Sequence, residues 1–408
     1  MRRRVAITGG GSISSLGSSW ETVRMMLRAG ESSVSYMTDW DKYYDMHTRI
    51  AAPVANFYLP DHYTSKQVRN MGRVAQLAVL ATENALEQSG LRDDSILSSG
   101  QAGVAYGSAM GSADAGLEFL HLLESKSVSK VKSTSSLRFM SHSAAMNISV
   151  IFGTCGRMYT TSSACTSGSQ GIGYAMEAIR SGTQIIMIAG GAEELSAPQA
   201  ATFEALYSAS SRNEKPEMAS RPFDKNRDGL VLGEGACTLI LEDWDSAAQR
   251  GAKVLAELVG FGTNTDGNNL LRPDPKSIGI AMELALADAG LASKDIGYIS
   301  GHGTSTIYGD ISETIATHAV MGASIPFSSL KGNMGHGLGL CGAFEAWASI
   351  NMMNESWFPP TLNLENIDKR CAELDYIRDG VREFEAEYFM SNNFAFGGVN
   401  TSLIFKRS

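Results

Sequence analysis

Short runs in which apolar residues occupy consecutive positions constrain the fold of this chain more than any other feature. "RRVAITG" (3–9), "QIIMIAGG" (184–191) and "IGYISG" (296–301) show no polar alternation, as strands covered on both faces require. Between them lie segments with helical spacing. "SWETVRMMLRAG" opens with a Ser18/Glu21 capping box and ends at Gly30, and "RVAQLAVLATENALEQSG" carries a broad apolar stripe. The alternation predicts an α/β protein with mainly buried sheets. From "KVLAELVGFG" (253–262) it starts again, and 408 residues exceed one ordinary core. Two halves, 1–252 and 253–408, are therefore expected to share an interface, although no sequence repeat is strong enough to establish duplication. The Ser/Lys-rich "ESKSVSKVKSTSS" (124–136) reads as an exposed loop.

Several function classes fall away on composition. A net charge of −9 argues against nucleic acid as the main partner. No apolar run is long enough to cross a bilayer, and "MRRRVAITGG" lacks the apolar core of a signal peptide, so a cytoplasmic location without membrane insertion is expected. Cys155, Cys165, Cys237, Cys341 and Cys371 are odd in number and scattered, without zinc or redox spacing; they are expected to be thiols, most of them small core residues. No metal is expected. "TGGGSISSLG" (8–17) invites a dinucleotide reading but has Ser14 where the template needs glycine, and reads instead as a strand-to-helix turn. "DKNRDG" (224–229) begins like a calcium loop, yet the closing position holds Gly235, with Glu234 one residue early.

One cysteine stands apart. "RMYTTSSAC" reads as a strand entering a turn and "TSGSQGIGYAMEAIRSG" (166–182) as a helix, which puts Cys165 at a helix N-terminus. The unpaired N–H groups there favour a thiolate. The small neighbours leave room for an acyl group, and a packed core cysteine would fit the same stretch equally well. Far downstream, His302 follows a buried strand in "GHGTSTIYGD", where α/β proteins place chemistry, and "SSLKGNMGHGLGLCGAFEAW" carries Lys331 and His336 before another glycine-rich helix start. Together with Cys165 they make a case for a thiol enzyme.

The motifs "SSACTSGSQGIG", "RPFDKNRDGLVLGEG", "GHGTSTIYGD", "LKGNMGHGLGLCGA" and "NNFAFGGVN" resemble, in this order and along essentially the whole chain, the β-ketoacyl-acyl-carrier-protein synthases of the elongating class. The resemblance implies a thiolase-like fold of two similar α/β halves stacked as αβαβα layers, usually a homodimer. It makes "DKNRDG" structural. It also implies that Cys165 accepts an acyl chain from the phosphopantetheine of acyl carrier protein, no further cofactor being needed. His302 and His336 would bind the thioester carbonyl of malonyl-carrier protein as it loses CO2, because two preorganised donors stabilise an enolate.

By the same resemblance, Lys331 supports the second histidine and Glu313 holds the lysine network, with Asp310 beside it. The N–H groups of Cys165 and Phe396 form an oxyanion hole, and Phe396 gates the site. Thr304 and Thr306 bind the pantetheine arm, and Met110 limits acyl length near the dimer interface. An acidic carrier needs a basic surface, for which Lys66, Arg69, Arg73, Lys126, Lys130 and Lys132 are candidates. Ala395 replaces a glycine of the usual "FGFGG", and "GLGLCGA" stands where small alanines and a serine are common. A specialised polyene or polyketide-like pathway is the nearest rival reading. A non-catalytic chain-length partner, homologous and paired with a paralogue in a heterodimer, is the rival from another class; the presence of all three site residues counts against it.

Overall fold

The computed structural model describes residues 2–269 and 271–408. Eleven strands form its main sheet, numbered here β1 to β11: Val5–Ser14, Ala102–Gly107, Met158–Thr160, Ile186–Glu193, Gly235–Asp243, Ala256–Thr265, Tyr298–Ser300, Pro326–Ser328, Asp375–Tyr376, Tyr388–Phe394 and Val399–Arg407. Outward from the junction of β1 with β6, the order is β1-β5-β4-β2-β3 on one side and β6-β11-β10-β7-β8-β9 on the other. Leaving out the short β9, both sides run first, fifth, fourth, second, third in chain order. Both also pass through two antiparallel junctions and then parallel ones. At the junction between the two sides, β1 and β6 pair through Ala6 with Glu257 and Ile7 with Ala256.

Five helices matter for the site: α1 (Arg73–Ser89), α2 (Ser167–Arg180), α3 (Pro275–Ala289), α4 (Ile307–Met321) and α5 (Cys341–Glu355). Helices α2 and α5 pack on each other between the two sheet halves, while α1 covers β1 and β5 from outside and α3 covers β6 and β11. This is the five-layer αβαβα order of two similar halves. Every residue from Cys341 to Ile350 is buried, as a helix in a central layer must be.

The first glycine-rich stretch is not a turn. Gly9 to Ser14 continue β1 and pair with β5. Glycine is needed there because a Cβ at Gly9 or Gly11 would lie 2.3 Å from the carbonyl oxygen of Ala85 or Ala81 on α1. The same device recurs in β6, where a Cβ at Gly260 or Gly262 would stand 2.5 Å from the Ala285 oxygen or 2.1 Å from the Ala281 oxygen of α3. The first helix, Trp20–Ala29, is capped one residue later than the sequence predicts, by a reciprocal Ser19/Thr22 pair, because Thr22 competes with Glu21 for the cap and faces Ser19. Replacing Gly11 or Gly262 by alanine drives a Cβ into helix backbone, and each substitution is expected to cost about 3 kcal/mol. Urea unfolding checks this, and a neutral result at both positions would contradict the close helix-on-sheet approach.

Candidate active site

Strand β3 ends at Thr160, and a short 3-10 turn, Ala164–Thr166, leads into α2 at Ser167. Cys165 lies in that turn, 4% exposed, and Ala164 before it adopts a left-handed φ of 51°. The small residues that follow have a packing reason. A Cβ at Gly168 would lie 2.8 Å from the Gly339 oxygen, and one at Gly342 would lie 2.7 Å from the Ser169 nitrogen. The starts of α2 and α5 can therefore approach, and the thiol is brought against the loop that carries His336.

His336 Nε2 lies 3.1 Å from Cys165 Sγ. Its Nδ1 accepts the Leu338 N–H at 3.3 Å, so the proton sits on Nε2, facing the sulfur. His302 leaves the end of β7 with its ring centroid 5.3 Å from that of His336, and the sulfur and one nitrogen of each ring lie within 4.8 Å of one another. The Lys331 ammonium, which can only donate, stands 3.4 Å from His302 Nδ1 and leaves Nε2 as the N–H of that ring too. With this cation beside them, the three groups suit an anion better than a metal ion.

Burial, then the charge of Lys331, holds both imidazoles well below their ordinary range, so each is a neutral donor at pH 7. Burial also pushes the Cys165 thiol up to about 12, against the pull of Lys331 and of the Phe396 and Cys165 N–H groups that face the sulfur. The expectation of a resting thiolate is thus corrected: desolvation outweighs the field at the helix start.

Lys331 is fully buried and donates to the His302 carbonyl at 2.6 Å and to Glu345. Burial opposes its charge, but Glu345 lifts it above the usual lysine range. Burial raises Glu345 as well, against the pull of Lys331; with Lys331 and Asn393 both donating to it, Asn393 at 2.7 Å, it is held as a carboxylate. The acidic partner of the lysine is therefore Glu345, not Glu313. Glu313 instead accepts the His302 and Gly303 N–H groups at 2.6 and 2.7 Å and fixes the loop backbone. Asn393 falls within the motif "NNFAFGGVN" and Glu345 within the glycine-rich segment that carries Lys331 and His336, but no local spacing assigns either to the lysine; the signal available was a carboxylate in the first, fully buried turns of α5.

Asp310 accepts the N–H groups of Phe223 and Ser305 at 2.7 and 3.1 Å and pairs with Arg227. "RPFDKNRDG" thereby clamps the 302–306 loop. Its Asp224 is engaged by Arg221 and by the Glu365 and Asn366 N–H groups, which leaves no calcium cradle. Thr304 and Thr306 face each other, Oγ1 to Oγ1 2.8 Å, in a narrow cavity of about 30 Å³ lined also by Cys165, both histidines and Phe396. Thr306, Gly309 and Phe396 also line a neighbouring cleft that reaches Tyr207 and Asp228. Gly397 and Gly398, at φ of 90° and 78°, form the turn behind Phe396, while Ala395 has no positive φ and is tolerated without strain.

Met110 does not line this cavity; its side chain is exposed on the single chain and its N–H is held by Glu193. Arg73 is not free for docking, because its guanidinium is bidentate on buried Glu234. Lys132 pairs with Glu118 at 3.1 Å but is exposed, as are Lys66, Arg69, Lys126 and Lys130.

A buried thiol at a helix start, facing two neutral imidazoles in a layered αβαβα fold, defines a thiolase-type protein with a Cys-His-His centre. Residues 2–247 match the N-terminal domain of β-ketoacyl synthase and residues 255–365 its C-terminal domain, and the chain belongs to the β-ketoacyl synthase family. It is 37% identical to 3-oxoacyl-[acyl-carrier-protein] synthase 2 of Vibrio cholerae, covering 100% of this chain and 99% of that protein. Among solved structures, a β-ketoacyl synthase from Burkholderia phymatum is 50% identical with a TM-score of 0.98. The ishigamide ketosynthase/chain length factor is 30% identical with a TM-score of 0.91. Both structural matches cover 100% of each chain.

Because the Cys165 thiol is pushed far above neutrality, its alkylation by iodoacetamide should rise about tenfold per pH unit from about pH 6 to 9. A plateau near pH 7, read by mass spectrometry, would show a preformed thiolate.

Proposed function

We propose that this protein condenses an acyl group held on Cys165 with malonyl-acyl-carrier protein, releasing CO2 and β-ketoacyl-carrier protein. The observation that carries the reading is the pair of neutral Nε2–H donors beside one thiol. In the first stage the Cys165 sulfur attacks the acyl thioester carbonyl, its proton leaves with the pantetheine thiol, and the acyl group remains on sulfur. In the second, malonyl thioester loses CO2, and its carbonyl oxygen takes up the electron pair as an enolate bound by His302 and His336. The enolate carbon then attacks the acyl-cysteine carbonyl. The resulting oxyanion is received by the N–H groups of Cys165 and Phe396 before the sulfur leaves as thiolate and takes a proton from water. Lys331 keeps both rings neutral, while Thr304 and Thr306 hold the arm that Phe396 admits.

The Vibrio cholerae relative supports a place in fatty acid biosynthesis and an acyl-carrier-protein substrate, with no cofactor beyond the carrier's phosphopantetheine. Lys66, Arg69, Lys126, Lys130 and Lys132 supply the remaining basic surface for that partner. The halves divide at 252/253, supported by the repeated strand order. A dimer, with itself or with a paralogue, is supported by the edge strand β3 and by exposed Leu117, Leu120, Phe139 and Met158 on neighbouring elements. Met110 lies beside this face and would meet the acyl pocket only there. No described helix is long and apolar enough to cross a membrane.

Incubation with a panel of acyl-carrier proteins should add the acyl mass to Cys165 and nowhere else. His302→Ala or His336→Ala should lower malonyl decarboxylation by about a hundredfold or more while sparing that adduct. Condensation that survives Cys165→Ala would overturn the reading. Sedimentation should give a particle of twice the 43.6 kDa chain for the dimer, and a monomer would contradict it.

A further inference from the structure

Cys341 is where the segment after His336 departs from the small residues common in the family, and the structure shows what its thiol touches. It opens α5, is fully buried, and places Sγ 3.2 Å from His336 Nδ1. The Leu338 N–H approaches the same nitrogen at 3.3 Å, so one ring lone pair faces two donors. The Gly337 N–H faces the Cys341 sulfur in turn. Across the ring, Nε2 faces Cys165 at 3.1 Å. The order is thus N–H to sulfur, sulfur to Nδ1, and Nε2 to the nucleophile.

We propose that Cys341 is a positioning residue for the condensation: its S–H donates to His336 Nδ1, reinforces the Nε2–H tautomer that the Leu338 N–H already favours and strengthens that N–H as a donor to the thioester oxygen. The physical cause is polarisation. A donor on Nδ1 withdraws electron density from the ring, the opposite N–H becomes more acidic, and successive hydrogen bonds reinforce one another in a low-dielectric site. Burial keeps the Cys341 thiol protonated by pushing its ionisation up, so it remains able to donate. A thiol is a weak donor and the Leu338 N–H persists without it. The contribution is therefore a modest one, added to a tautomer already favoured by the backbone.

The proposal rests on the reaction proposed above, but its first readout does not. In the full-length protein labelled with 15N-histidine, His336 is assigned by its loss in His336→Asn. Its Nδ1 should resonate as a hydrogen-bonded acceptor and its Nε2 as N–H. In Cys341→Ala the Nδ1 signal should move toward that of an unbonded acceptor, and kcat for malonyl decarboxylation should fall about two- to fivefold with KM unchanged. Cys341→Ser, which restores a donor, should recover part of both. The proposal is overturned if Cys341→Ala leaves the Nδ1 signal and kcat in place, or if alanine and serine lower kcat equally with the signal unmoved. A wild-type protein with the expected 15N signals but no decarboxylation would instead refute the reaction and leave the thiol–imidazole contact standing.

Discussion

The buried pair of Lys331 and Glu345 is the interaction on which the site depends. Two ions with no exposed surface are costly to bury, and removing one of them typically costs about 3–5 kcal/mol because the other is left unpaired. What Glu345 contributes is to hold the Lys331 ammonium charged beside the two imidazoles. That charge, with burial, keeps His302 and His336 neutral, and the ammonium also holds the His302 carbonyl. Asn393 ties Glu345 to β10, so the pair joins the loop after β7, helix α5 and the strand leading to Phe396. An enolate forming between the rings would meet two N–H dipoles, with a cation behind them.

The thiol comes from the first half of the chain and both histidines from the second, and glycine makes their meeting possible. Close approach of α2 to α5 brings Cys165 to His336 much as close approach of α1 and α3 to their strands builds each half. Carboxylates then lock the loops that packing alone would leave free. Glu313 holds the backbone at His302 and Gly303. Asp310 holds it at Ser305, whose φ of 68° is unfavourable for a residue with a side chain.

The residues that act through short local motifs were legible in the sequence: Cys165 before a helix, His302 after a buried strand, and His336 and Lys331 within one glycine-rich segment. What escaped involves partners far apart in sequence or a balance of opposed energies. Glu345 and Asn393 lie within segments read for other residues, and no local spacing pairs them with Lys331, so Glu313 took the role that Glu345 holds. The Gly9–Gly11 run resembled a turn because the helix that forbids a side chain there lies some seventy residues away. A helix start rightly suggested a favourable field at Cys165, but the size of the desolvation penalty depends on burial that only the fold reveals.

The central claim is that burial and Lys331 keep both imidazoles as neutral donors facing one thiol. The most direct test is a 15N titration of His302 and His336 in the resting protein from pH 8 to pH 5.5. The account predicts that neither ring takes up a proton over this range. Protonation of either ring near the ordinary histidine value would contradict it.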